Sequence, residues 1–210
     1  MDGSEFVEEV RSANEGRLAR LGSEKALVAT TAGSLDRETV LETAVAAETR
    51  AVETFDQWAG DETDDDARSA FEAERARERE HRDRVLELAD GSPTEADPDP
   101  LHEHLRDLDE TVERVAAGLV ARPLVASRSL LQVINFFVNE GDERAAALFR
   151  ELRAETDEQV ERGGEVVATV CERDDDRERA VAAASAVVDL AYDEYAGSLE
   201  GMGIDPKPVC

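Results

Sequence analysis

LETAVAAETRAVETFDQWA, residues 41–59, places Leu41, Val45, Val52, Phe55 and Ala59 on one line at steps of four and three, with Glu48 inside the series. That period is one face of an α-helix turned toward a core. A carboxylate in the middle of such a face costs several kcal/mol unless it is paired or metal-bound. The next block repeats the pattern: Phe71, Glu74, Glu78, His81, Val85 and Leu88 fall on one stripe of a helix over 66–90. Glu78 and His81, one turn apart, can reach one ion from one face, and Glu48 can meet them from the facing helix.

Composition bounds the rest. The chain has 210 residues, 41% hydrophobic but only 4% aromatic, so its core must be built from Ala, Val and Leu, which suits packed helices. The formal net charge is −27. Lys25 and Lys207 are the only lysines, so the positive charge is nearly all arginine. Acid spread over the whole chain fits a halophilic, cytoplasmic setting in which salt screens self-repulsion. No basic stripe exists to neutralise phosphates, so nucleic acid is not an expected partner. No uninterrupted apolar run approaches membrane-spanning length and no signal peptide opens the sequence, so no membrane role is expected. Cys171 and Cys210 form no CxxC pair and read as reduced thiols.

Breakers divide the chain into helices at about 3–20, 36–59, 66–90, 101–121, 123–140, 143–171 and 176–202. Pro123 kinks a long helix or separates two. No block alternates with period two, so the expected fold class is all-α. Short turns at Gly60 and Gly141 make two antiparallel hairpins, and a long loop joins them. Hairpin, crossover, hairpin is the connectivity of a ferritin-like up-down four-helix bundle, shared with several other all-α folds. The expected single domain has a helical extension (1–33), a four-helix core (36–172, crossover 91–122) and a C-terminal helix (176–202).

A metal site competes with a plainer reading. Carboxylates are so common here that Glu-x-x-His can arise by chance, and Arg75, Arg77, Arg79, Arg82 and Arg84 offer ion-pair partners. The segment AETRAVETF, Ala47–Phe55, resembles the first core helix of rubrerythrin-like members of the ferritin-like superfamily: Glu48, Ala51 and Phe55 match a ligand Glu, a small residue and an aromatic in order. EREH, Glu78–His81, is similar to the Glu-x-x-His of the second core helix. The resemblance implies a carboxylate-bridged site for iron or manganese, used in peroxide reduction, oxygen activation or iron handling. It also implies an external electron donor and a homodimer.

The family pattern requires a second half-site, and here the chain departs from it. Glu155 fits the stripe Leu148, Leu152, Gln159 and Val166, while Glu158 stands where the second histidine belongs. Opposite Glu48 stands Ser129, with Arg128 and Gln132 nearby and no carboxylate before Glu140. One ion on Glu48, Glu78, His81 and Glu155, with Glu158 at the edge, is therefore expected rather than two. The alternative is a metal-free bundle in which Arg128 replaces the cation and the protein serves oligomerisation or protein interaction. His102 and His104 diverge at i, i+2 and read as solvated first-turn residues. Tyr192 and Tyr195 are expected to pack the last helix onto the core.

Overall fold

Acidic side chains set the helix starts, as their positions before apolar-periodic segments require. In the computed structural model, which describes residues 2–89, 96 and 99–207, helix α1 (Gly3–Ala13) opens on an Asp2 capping box with Glu5. Asp36 caps α4 (Arg37–Asp61) through the Thr39 amide, and α5 spans Asp65–Ala89. Asp99 caps α6 (Pro100–Arg106), and Asp142 caps α9 (Glu143–Val170). The last helix, α10, runs Asp174–Gly201. The described residues contain no strand.

Three expectations about helix boundaries change, the first being that the expected helix 101–121 is broken between Arg106 and Thr111. The segment 3–20 is not one helix: α1 breaks at Asn14, α2 covers Glu15–Leu21, and an unexpected α3 covers Lys25–Thr30 after Gly22. Pro123 does not separate two helices. A continuous helical path leads from α7 (Thr111–Ala116) through a π-helical turn (Ala117–Ala121) into α8 (Arg122–Glu140). Proline lacks an amide hydrogen and crowds the carbonyl four residues back, which is Leu119; the wider turn accommodates both. The expected crossover 91–122 therefore holds α6, α7 and the turn that leads directly into α8. Gly141, at φ +73°, ends α8 in the left-handed conformation that glycine adopts without strain.

Close packing joins α4 to α5, α8 to α9, and α5 to α9. Helix α10 is not a peripheral addition: it packs on α1, α2, α3, α6, α7 and the π turn. Two apolar cores result. One gathers Phe55, Trp58 and Phe71 with α1, α7 and α10; the other holds Val45, Val85, Phe137, Phe149 and Leu152. Every bundle helix crosses from one core to the other through a polar stretch: Glu48 and Thr49, Glu74 to His81, Ser127, and Thr156 to Gln159. Thr111–Glu140 is long and apolar enough to cross a membrane, but 72% of its most apolar window is buried inside the fold.

Candidate metal centre

The stripes bring the expected residues together. One ligand atom from each of Glu48, Glu78 and His81 lies within 4.8 Å of the others. Glu78 and His81 are almost wholly buried, at 2% and 1% exposure. Glu48 lines a cavity and keeps some surface there, although its carboxyl is deeply enclosed. Burial pushes the Glu48 carboxyl well above the ordinary range, and the adjacent Glu78 pushes it further. Burial opposes charge on Glu78 as well, but Arg122, the Glu48 hydrogen bond and His81 outweigh it and hold that carboxylate low. The stable arrangement is a protonated Glu48 donating to an ionised Glu78.

His81 is oriented from outside the cluster. Its Nε2 lies 2.7 Å from Glu155 Oε2. Burial opposes the Glu155 charge, but Arg84 and His81 more than offset it, so this carboxylate is ionised and can only accept. In the neutral ring the proton therefore sits on Nε2, and the lone pair of Nδ1 faces the cluster 4.0 Å from Glu78 Oε2. Metal-bound histidines are held this way, the second ring nitrogen donating to a carboxylate. Two bonds of about 2.1 Å meeting at an octahedral or tetrahedral angle set their donors roughly 3.0–3.4 Å apart, so a modest inward shift from 4.0 Å lets both atoms reach one ion. The set of one imidazole and two carboxylates suits iron or manganese.

The other carboxylate oxygen of Glu78 has a different partner. It accepts from Arg122, which is 7% exposed, and from Gln159 Nε2 at 3.1 Å. Arg122 also lies over the Phe55 ring, 5.4 Å from its centroid. The guanidinium expected to reach this cluster was that of Arg128. That side chain instead runs toward Gly22, where a Cβ would meet its Cδ at 3.3 Å. Helical counting back from Gly141 selected Arg128 because residue 122 was assigned to the crossover and not to the packed helix. The legible signal was an arginine next to Pro123 inside an otherwise apolar stretch, GLVARPLV.

Glu155 thus meets His81 and Arg84 rather than the two clustered carboxylates. Glu158 is exposed and pairs with Arg162 at 3.6 Å, away from the cluster. Ser129 lines the cavity beside Glu48, and Gln132 donates to the Gly22 carbonyl at 2.6 Å. Glu74 adds a further buried carboxyl, raised by burial and by Glu78, with Arg77 at 3.3 Å. His102 was expected in solvent, yet it is 8% exposed, its Nδ1 held 3.0 Å from both Asp99 oxygens. Tyr195 packs in the α10 core as expected, and Cys210 lies outside the described residues.

Helix α4 packs chiefly on α5 and α6, leaving its seam with α8 and α10 open. The opening is a cavity of about 820 Å³ lined by α3, α4, α6, α8 and α10, with Glu48 and Arg122 in its wall. No family model, curated protein or solved structure matches the chain.

Proposed function

We propose that this chain is a ferritin-like, rubrerythrin-like bundle that holds one iron or manganese ion on Glu48, Glu78 and His81. The observation that carries the reading is the His81 ring, tied at Nε2 by Glu155 and presenting Nδ1 across 4.0 Å to Glu78 Oε2. Arg122, on the other oxygen of Glu78, stands where a second cation would otherwise offset the carboxylates. Binding releases the Glu48 proton, because a ligating carboxylate must be ionised. The ion would supply one-electron chemistry suited to oxygen or peroxide, in a cytoplasm and with an external donor. Glu155 and Arg84 orient the imidazole; Gln159 and Arg122 fix the Glu78 carboxylate.

The test is elemental analysis of untagged protein purified in molar salt, with His81→Ala and Glu48→Gln beside the parent. About one ion per parent chain, lost in both variants, is the expected result; below about a tenth of an ion the metal reading fails.

A second reading has its own observation. Protonated Glu48, ionised Glu78 and Arg122 form a set with no net charge and need no metal. On that reading the chain is a metal-free bundle serving oligomerisation or protein interaction. It predicts parent protein without metal and unchanged in thermal stability when Mn(II) is added.

A further inference from the structure

The cavity between α4, α8 and α10 has a charge pattern of its own, apart from the metal cluster. Most of its wall is apolar, with Leu27, Val40, Val125, Leu130 and Val133 among the lining side chains. Its volume of about 820 Å³ is in the range that encloses a small organic molecule. Both arginines in the wall are engaged. Arg50 meets Asp99 at 3.0 Å, and Arg122 meets Glu78. Asp99 also takes the His102 imidazole. Glu48 has its partner in Glu78.

That leaves Glu194, on α10. It lines the same cavity, is half-buried and makes no hydrogen bond or ion pair among the described residues. A half-desolvated carboxylate beside apolar side chains gains most from a cation that brings its own apolar body. Hydroxyl and carboxylate ligands fit less well: the first offers no charge, and the second would place like charge beside Glu194 and Asp99.

We infer that this cavity binds a small amphipathic amine, its ammonium on Glu194 and its apolar body against α4 and α8. The carboxyl of Glu194 itself points the same way: burial, and then Asp99, push it up to about 7 against the opposing pull of Arg50, so a bound cation restores the charge that burial opposes. The cavity shares Glu48 and Arg122 with the metal layer, but the amine is assigned to Glu194 on α10, and neither Glu78 nor His81 lines the cavity.

Isothermal titration of the full chain with octylammonium, octanol and octanoate tests it. Molar potassium chloride in the buffer screens adsorption to the acidic surface. Octylammonium is expected to bind at one site per chain, about tenfold or more tighter than octanol, with no octanoate binding. Glu194→Gln should bring the amine to the octanol level, and Ala126→Phe, which places a ring in the cavity, should abolish binding; circular dichroism checks that both variants fold. His81→Ala should bind the amine as the parent does, whatever the metal content. No amine binding, equal affinity for octanol, or an affinity unchanged by Glu194→Gln would each overturn the inference. So would uptake at many sites that Ala126→Phe leaves intact.

Discussion

Arg122 carries the sharpest consequence at the scale of a single residue. It is the cation beside Glu78 in a layer where both are nearly inaccessible to water. Removing one partner of such a pair strands the other charge, which costs about 3–5 kcal/mol, whereas removing both is far milder. Arg122→Met should therefore lower unfolding free energy by that amount in denaturant titrations, and Arg122→Met with Glu78→Gln should recover most of the loss. If metal binds as proposed, Mn(II) should stabilise Arg122→Met more than the parent, because the ion then offsets both carboxylates. Equal stabilisation would argue against a shared charge layer. Glu194 makes a pH-dependent prediction. Its carboxyl titrates near 7 in the fold against an ordinary 4.5, because burial and Asp99 outweigh Arg50. The native state then holds a proton that the unfolded chain has released, so this contribution declines as pH rises from about 4.5 to 7. Glu194→Gln should match the parent near pH 4.5 and exceed it above pH 7. Because the group is half-exposed, screening reduces the difference to on the order of 1 kcal/mol. Chemical denaturation at the two pH values measures it, and a gap of the same size at both would refute the assignment.

At the scale of elements, the π turn and the glycines set where side chains arrive. Gly163 of α9 lies against the Leu119 carbonyl inside that turn, and a Cβ there would overlap it. Gly163→Ala has no cheap relief, because the atom in the way is backbone. The cost should be about 1–3 kcal/mol or more, read as a lower thermal midpoint. Gly60→Ala meets nothing and makes the control. If the two variants melt alike, α9 does not approach the turn as closely as described. The same elements explain what was legible in the sequence. The stripes through Glu48 and through Glu78 and His81 depend only on the 3.6-residue period, which both helices keep, and those three residues do converge. Helix α8 begins at Arg122, a residue that the sequence pattern assigns to the crossover, so counting along the helix selected Arg128 and missed Arg122. Short α3 was missed because six residues carry too little periodicity to declare a helix. His102 misled for another reason: its burial comes from α4 and α10 packing over α6, contacts that no local pattern records.

At the scale of the molecule, the charge of −27 acts on every helix at once. The surface ion pairs, such as Arg17 with Asp189 and Arg75 with Asp56, are each worth about 0–1 kcal/mol and use few of the acids. With 51 acidic side chains against 24 basic ones, 27 carboxylates are left without a basic side chain to match them. Their mutual repulsion disfavours the compact state more than the expanded one, and its range falls from about 10 Å at 0.1 M salt to about 3 Å at 1 M. The cores offer limited reserve against it, since small side chains dominate them and the large aromatics fall into two separate groups. The thermal midpoint should therefore climb steeply as potassium chloride rises from dilute buffer to molar concentration. Sucrose at matched osmolality should raise it much less, because exclusion of solute strengthens burial without screening charge. If the two solutes stabilise equally, solute exclusion rather than charge governs the fold, and the halophilic reading fails. Glu78, His81 and Arg122 sit inside the molecule, where salt screens least. Their variants should keep the same rank order of stability along the salt series while the whole set moves upward together.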